Sequence, residues 1–214
     1  MSQTGSLRPI LFAAALSWLT GLGSIAVAAT PPQGGYVGNI SGLTEVSCRG
    51  FEAAYAKGGA LPKGFSSVYV APVAIIPGQD KTLDEMTAYD RKAMQDYLYE
   101  QLTRQLGKKF TLASKPGPGV LVVSAAFTAL RSNKPTMGDL AKQPGTDYGR
   151  SFGIGRAGIQ VDLRDGASGE LLAAFVDHEE GDPINSNLNI HTQWGDAEQF
   201  SREWAAAIAQ SLAG

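Results

Sequence analysis

Two histidines with carboxylates close by are the residues in this sequence best suited to chemistry. His178 is followed directly by Glu179 and Glu180, and Asp182 and His191 come later in the same polar segment. Imidazole and carboxylate groups can bind a transition metal, but recognisable sites hold their ligands at short fixed spacings such as H-E-x-x-H. That spacing does not occur here, and acidic loops are usually solvated. We therefore predict no metal site.

Three further residues could serve as nucleophile, acid or base. Cys48 with a distant histidine is formally a protease-like pair. Asp162 and Asp165 could flank a glycan as acid and base. However, Asp162 occupies an outward position of an alternating strand, and Asp165 opens a turn, which is a common role for aspartate. We assign no catalytic residue.

One glycine-rich stretch, Gly153-Ile-Gly155-Arg-Ala-Gly158, matches the dinucleotide-binding pattern G-x-G-x-x-G. A phosphate-binding loop of that kind follows a strand and opens a helix, so that the helix N-terminus faces the pyrophosphate. Here a loop precedes the glycines and a strand is expected to follow them. The sequence therefore predicts no nucleotide site and no cofactor.

Aromatic residues in the second half of the chain could form a binding surface, namely Tyr148, Trp194, Phe200 and Trp204. Trp204 lies on the apolar stripe of a predicted helix, so we expect it in the core. Trp194 precedes that helix in a polar segment, and we interpret it as a residue that covers the helix edge.

The elements that must position these residues follow from periodicity. A run of β-branched and aromatic residues predicts a strand over 65–76, in which Pro72 interrupts regular pairing. Thr82 and Glu85 form a capping box, and a leucine row predicts a helix over 83–106 that ends at Gly107. The other predicted elements are a short helix over 45–57, strands over 110–113 and 120–130, a hairpin over 157–177 and a final helix from about Asp196.

This element order predicts an α/β (α+β) fold, a single domain over 45–214. We expect a mixed sheet of about five strands, with helices packed mainly on one face. Residues 131–156 and 179–193 are predicted to be long loops, because they are rich in turn-forming residues. Long loops in compact domains are often functional.

The first 28 residues have the pattern of a secretory signal peptide. Arg8 precedes a diluted apolar tract that ends in Ala26-Val27-Ala28, so we expect cleavage after Ala28 and a flexible leader over 29–44. The alternative is an uncleaved membrane anchor, which the glycines of the tract disfavour. Cys48 is too far from the tract to accept a lipid, so we expect no lipid anchor and a periplasmic or secreted product.

The charge and cysteine content limit the possible functions further. The signal peptide carries one of the 18 basic and none of the 20 acidic residues, so the remaining chain has a formal charge of −3. Nucleic-acid binding needs a basic patch, and none is evident. A single cysteine excludes an internal disulfide. Cys48 is either buried or available for pairing between chains.

The capped helix over 83–106 and four further segments resemble a known family of Gram-negative envelope proteins, grouped as domain of unknown function 3313 and often labelled putative lipoproteins. The four segments are Phe65-Ser-Ser-Val-Tyr-Val-Ala-Pro-Val, Lys115-Pro-Gly-Pro-Gly-Val-Leu-Val-Val, the hairpin over 157–177, and Trp194-Gly-Asp-Ala-Glu-Gln-Phe. The resemblance covers about residues 43–213. It implies an envelope protein without an assigned activity, and this chain departs from the lipoprotein members in lacking the acylated cysteine.

We therefore expect an exported, non-enzymatic accessory or assembly module that binds another envelope protein or an envelope component through its long loops. One alternative is a periplasmic hydrolase acting on glycan or peptide, which should have a deep pocket with convergent polar groups. Another is a small-ligand binding protein, which should have a closed apolar cavity. The sequence leaves the oligomeric state open.

Overall fold

A computed structural model describes residues 40–76, Leu83, 86–133, 155–181 and 192–214. All of them belong to one compact unit, Pro31–Gly214. The described strands are β1 (Leu43–Val46), β2 (Ala53–Lys57), β3 (Ser67–Val70), β4 (Ala74–Ile75), β5 (Thr111–Leu112), β6 (Val120–Arg131), β7 (Arg156–Asp165) and β8 (Leu171–Glu180). The described helices are α1 (Ala88–Leu106) and α2 (Gly195–Ala213). The predicted signal peptide and most of the predicted leader lie outside the described residues.

Within these residues, eight strands form one mixed sheet in the order β1-β2-β8-β7-β6-β3-β5, and β4 also pairs with β6. The strands β3 and β4 run parallel to β6, and β5 runs parallel to β3, whereas β1, β2, β8, β7 and β6 pair antiparallel in turn. The expected mixed sheet is confirmed, but the expected number of about five strands is too small. The run over 65–76 forms two strands, because Pro72 lies between them and cannot donate to a ladder.

The segment over 45–57 is a hairpin rather than the predicted short helix. β1 and β2 pair antiparallel, and β2 also pairs with β8, far along the chain. Gly50 lies between the two strands with a φ of +87°, a conformation that favours glycine and is incompatible with a helix. Ala53, Ala54 and Ala56 of this segment lie in β2, beside its sheet partner β8. Leu43 and Thr44, which we assigned to the leader, lie in β1.

The first long helix begins later than the capping box indicated. Thr87 is the N-cap of α1, and its side-chain oxygen accepts a hydrogen bond from the backbone N–H of Asp90 over 3.0 Å. Leu83 is itself helical, but Thr82 and Glu85 lie outside the described residues. The predicted end is confirmed, because Gly107 is the C-cap residue.

One large hydrophobic core joins the helices to the sheet. Both apolar rows predicted from four-residue spacing are buried in it, together with alternate residues of the central strands. From the helices it includes Met94, Leu98, Leu102, Leu106, Phe200, Trp204, Ile208 and Leu212, and from the strands Val68, Val123, Phe127, Ile159, Val161, Leu163 and Phe175. Neither described helix is both long and apolar enough to cross a membrane.

The sheet has two ends that differ in what they connect. We call the end where β6 ends, β7 begins, β8 ends and α2 begins the loop end, because the segments 134–154 and 182–191 depart from it. We call the opposite end, where β7 turns into β8, the turn end. The hairpin predicted over 157–177 is confirmed, and its strands extend farther toward the loop end than expected.

Candidate functional site

The described part of the loop end is organised by one buried carboxylate. Asp196 lies in the first turn of α2 and is 2% exposed, and Asn133, just after β6, is 0% exposed. Asn133 Nδ2 donates to Asp196 Oδ2 over 2.6 Å, and the backbone N–H of Asp196 donates back to Asn133 Oδ1 over 3.0 Å. The backbone N–H of Gly155 donates to the same carboxylate oxygen over 2.9 Å. Such charge-assisted bonds are the strong class of hydrogen bonds in proteins.

Two backbone hydrogen bonds complete this cluster. The N–H of Asn133 donates to the carbonyl of Gln193 over 2.8 Å, and the N–H of Gly181 donates to the carbonyl of Gly155 over 2.9 Å. Asn133 and Gly155 flank segment 134–154, while Gly181 and Gln193 lie at the two sides of segment 182–191. Described residues that flank both segments therefore meet around Asp196. We call Asn133, Gly155, Gly181, Gln193 and Asp196 the loop-root cluster.

The two glycines of the loop-root cluster are required by close approach. A Cβ atom at Gly181 would overlap Asp196 Oδ2, and one at Gly155 would lie 2.8 Å from Asn133 Oδ1. Any larger residue would therefore displace the carboxylate or the amide. Gly155 belongs to the G-x-G-x-x-G stretch, and the described strand β7 begins at Arg156, directly after it. The predicted strand after the glycines is confirmed, so the stretch lacks the helix that a phosphate loop requires.

Both helices begin at the loop end. The indole Nε1 of Trp194, the N-cap residue of α2, lies 3.3 Å from Asp90 Oδ1 in the first turn of α1. Farther along, Arg202 Nη1 donates to the hydroxyl of Tyr97 over 2.6 Å. Because the start of α2 contacts the start of α1, and a later residue of α2 contacts a later residue of α1, the two helices run parallel. The helix dipoles thus direct two positive ends toward the loop end.

Trp194 is half-buried and packs against the core, as expected for a residue that covers the helix edge. Tyr89, the neighbour of Asp90, is 82% exposed. Tyr148, another aromatic residue that we considered for a binding surface, lies outside the described residues. The described part of the loop end therefore has one exposed aromatic residue, Tyr89, and one half-buried one, Trp194.

Trp204 and the histidine segment belong to a second polar cluster, formed by β8, α2 and the residue before β2. The indole Nε1 of Trp204 donates to Asp177 Oδ2 over 2.6 Å, and the backbone N–H of Glu52 donates to Asp177 Oδ1 over 2.9 Å. His178 Nδ1 lies 3.0 Å from Glu52 Oε2. Burial, with a smaller contribution from Asp177, raises the pKa of Glu179. The core position predicted for Trp204 is confirmed.

The two carboxylates considered as an acid and base pair have separate partners. Asp162 Oδ2 accepts a hydrogen bond from Arg164 Nη2 over 2.6 Å, and Asp165 Oδ1 accepts from the backbone N–H of Ser168 over 2.7 Å. The turn position predicted for Asp165 is confirmed. The outward position predicted for Asp162 is wrong, since Asp162 and Gln160 are each 3% exposed. The alternation of apolar and polar residues in β7 therefore separates two faces of the sheet that are both buried, and neither face is exposed to solvent there.

The described histidine, carboxylate and cysteine side chains form no metal-binding group, and Cys48 lies at the edge of the core. Across the ranges that the structure describes, no three histidine, cysteine, aspartate or glutamate side chains lie close enough to hold a metal ion. His191 and Asp182 lie outside those ranges. Cys48 is half-buried, packs against the core and lies with its Sγ 3.2 Å from Ser211 Oγ.

Sequence reasoning missed the loop-root cluster. The sequence predicts Asp196 only as the start of a helix, and Asn133 and Gly181 only as loop residues. The one available signal was the placement of small or amide residues directly beside both long loops. That signal does not indicate which of them meet, because Asn133 and Asp196 are 63 positions apart.

A family model described as protein of unknown function (DUF3313) matches residues 32–208. The chain belongs to this family. The resemblance inferred from the sequence is therefore confirmed, and the family's description assigns no activity. No curated protein matches the chain.

Solved structures with some similarity come from several bacteria. A dodecamer of PelC from Paraburkholderia phytofirmans is 13% identical, with 74% of this chain and 97% of that chain covered and a TM-score of 0.41. A hypothetical protein from Chlamydia trachomatis is 13% identical over 68% of this chain and 96% of that chain, with a TM-score of 0.41. A minor lipoprotein from Acinetobacter baumannii is 10% identical over 68% and 91%, with a TM-score of 0.33. At this similarity they identify neither an activity nor a partner for this chain.

Proposed function

We propose that this protein is an exported, non-enzymatic accessory or binding module of the bacterial cell envelope, which binds another envelope protein or an envelope component through its loop end. The observation that carries the proposal is the loop-root cluster. It brings the residues that flank two long polar segments, 134–154 and 182–191, to one buried carboxylate. Recognition segments on a rigid scaffold are a common way to build a binding surface.

The partners of the candidate catalytic groups support a binding role over an enzymatic one. Asp162 pairs with Arg164 and Asp165 closes its own turn. Asp177, a further buried carboxylate, holds the indole of Trp204. Each of these bonds contributes to packing or to a turn. A general acid or base should instead be directed at a place where substrate can sit.

We also propose that the helices pack mainly on one face of the sheet and that the protein is exported from the cytoplasm. The helices' buried side chains share one core with alternate residues of the central strands, which supports helices packed mainly on one face of the sheet. The pattern that ends in Ala26-Val27-Ala28 supports cleavage after Ala28 and a periplasmic or secreted product.

The test is site-specific photo-crosslinking in intact cells at two exposed positions on opposite ends of the sheet. A photoreactive residue replaces Tyr89, which is 82% exposed at the loop end, or Leu112, which is 44% exposed beside the turn end. Both are large, exposed hydrophobic residues, so Leu112 is the matched control. We expect a defined crosslinked product from position 89 and none from position 112.

A second variant locates the binding determinant. Residues 136–150 are replaced by a short Gly-Ser linker, and the control carries the same linker between Ala167 and Ser168, at the turn end. The first variant should lose the product from position 89 with an unchanged circular dichroism spectrum, and the control should keep it. Equal products from both positions, or full recovery of the partner by the first variant, would refute the proposal. A crosslink between two copies of this chain would refute the choice of a different partner.

A further inference from the structure

The edge of the sheet formed by β5 carries positive charge without carboxylates beside it in the sequence. Residues 101–133, which run from the second half of α1 through β5 to the end of β6, contain no aspartate and no glutamate. The exposed basic residues on either side of β5 are Arg104, Lys108, Lys109 and Lys115. We call these four residues, together with Leu112, the basic edge.

Within the described residues, none of the four basic side chains has a carboxylate partner. Lys108 Nζ donates to Gln105 Oε1 over 2.8 Å, and Arg104 donates to Gln101 Oε1, so both bind neutral groups. Several basic residues elsewhere do pair with carboxylates, namely Lys57 with Glu170, Lys92 with Asp96, Arg131 with Glu180 and Arg164 with Asp162. The basic edge is therefore a local excess of positive charge on a chain with a negative formal charge.

The topology places the basic edge near the turn end. Because α1 begins at the loop end, its C-cap residue Gly107 and the two lysines that follow lie toward the opposite end. Thr111 of β5 is level with Ser67 of β3, which is level with Val120 of β6. The carbonyl of Val120 accepts a hydrogen bond from Gly166, in the turn between β7 and β8. The positive charge thus lies away from the loop-root cluster.

We propose that the basic edge binds the surface of an anionic phospholipid bilayer. Lysine side chains are attracted to anionic headgroups within about a Debye length of 8–10 Å. Leu112 is 44% exposed, and its Cδ1 would lie 3.2 Å from a Cβ atom added at Gly107, directly beside the two lysines. An exposed aliphatic side chain among lysines suits the boundary between headgroups and acyl chains.

Two features favour a bilayer over an added protein strand or a nucleic acid. The N–H groups of Thr111 and Ala113 donate to β3, so of these three residues Leu112 alone directs its backbone N–H away from the sheet. An edge of two residues is too short to pair with an incoming strand. Four charges are also fewer than the about 6–10 phosphate contacts of a DNA-binding surface.

Carboxylates lie at the opposite end of the sheet. Glu179 and Glu180, the last residues of β8, are exposed at the loop end. Like charge repels them from an anionic surface, so contact through the basic edge directs the loop end away from the bilayer. The inference adds a second surface to the proposed function and does not depend on it.

The test measures co-sedimentation of the purified protein with phosphatidylcholine vesicles that contain about 30% phosphatidylglycerol. We expect binding at low salt, and far weaker binding to vesicles of phosphatidylcholine alone. The variant K108Q/K109Q/K115Q should bind the anionic vesicles about 10- to 100-fold more weakly, because each lysine near the surface contributes to the attraction. High salt should reduce this difference, since it screens exposed charges.

The matched control is R49Q/K92Q/R131Q, which removes three positive charges from other parts of the surface. It should retain the affinity of the parent within about threefold, because charges beyond a Debye length are screened. Circular dichroism of both triple variants checks that the fold is kept. Failure of the parent to bind the anionic vesicles, or an equal loss of affinity in both triple variants, would overturn the proposal.

Leu112→Ser separates a bilayer from an acidic protein surface. It should weaken vesicle binding about fivefold, at low and at high salt, because the lost contribution is apolar. Tighter binding of the parent to soluble polyglutamate than to vesicles, unaffected by L112S, would indicate an acidic protein partner and would overturn the choice of a bilayer. Only vesicles or polyglutamate are added, so the result is independent of whether the loop end binds an envelope partner.

Discussion

Asp196 at the loop end and Asp165 at the turn end are both aspartates that accept several hydrogen bonds, but they organise different lengths of chain. Asp165 Oδ1 accepts from the backbone N–H groups of Ala167 and Ser168 and from the hydroxyl of Ser168, all within three positions. Asp196 is buried, and it accepts hydrogen bonds from Gly155 and Asn133, which lie 41 and 63 positions away in the sequence. One carboxylate closes a turn, and the other joins separate segments.

The difference shows how burial changes the consequence of the same chemistry. The donors around Asp165 are exposed, so water can replace the carboxylate. The donors around Asp196 are buried, so its loss leaves them without an acceptor. Removing Asp196 at the loop end should therefore lower the stability of the fold far more than removing Asp165 at the turn end.

The largest expected effect comes from removing each aspartate. D196A should lower the free energy of unfolding by about 3 kcal/mol, because the amide of Asn133 and the N–H of Gly155 lose their buried acceptor. D165A should move the denaturation midpoint much less. Urea unfolding followed by circular dichroism checks both. Equal shifts for the two variants would contradict the comparison.

A smaller effect is expected from adding a methyl group at each end. G181A should lower the free energy of unfolding by about 1–3 kcal/mol, since its Cβ would overlap Asp196 Oδ2. G117A is the matched control near the turn end, because a Cβ there meets nothing within 4 Å. Thermal unfolding of both variants tests this. A G181A protein as stable as G117A would show that Asp196 can move to accommodate the added methyl group at little cost in stability.

The smallest effect concerns the pH response of the turn end. The backbone N–H and then the hydroxyl of Ser168 lower the pKa of Asp165. Because this pKa is lower in the folded than in the unfolded chain, the ionised group stabilises the fold above the unfolded pKa of about 4. That contribution is lost as the pH falls through the folded pKa.

Ser168→Ala should therefore raise the pKa of Asp165 part of the way back, since the backbone bonds remain. A carbon-detected NMR titration of Asp165 measures this directly. The stability difference between S168A and the parent should shrink below pH about 4, as Asp165 becomes protonated in both proteins. An unchanged pKa would mean that the hydroxyl bond to Asp165 is not formed in solution.

The same contrast explains what could be predicted from the sequence. Features set by neighbouring residues were predictable, such as the turn at Asp165, the leucine row of α1 and the apolar stripe of α2. The strand β2 within the segment over 45–57, for which the sequence predicts a helix, is not predictable because its partner β8 lies far along the chain and leaves no local signal.

The loop-root cluster was unpredictable for the same physical reason. Loops flanked by asparagine and glycine are common, and only the folded sheet brings Asn133, Gly155 and Gly181 to Asp196. Burial of both faces of β7 was equally hidden, since Gln160 and Asp162 look like solvent-facing positions by their chemistry alone. Tertiary pairing decided both outcomes.

The bond between Trp204 and Asp177 has a further consequence for how α2 is seated. Phe200, Trp204 and Ile208 repeat every four residues, so a helix shifted by about one turn would still bury an apolar stripe. Only the native position places an indole N–H 2.6 Å from Asp177 Oδ2. A shifted helix would leave Asp177 Oδ2 without this donor, so the contact, like the bonds of Asp196 to Asn133 and Gly155, favours one register among near-equivalents.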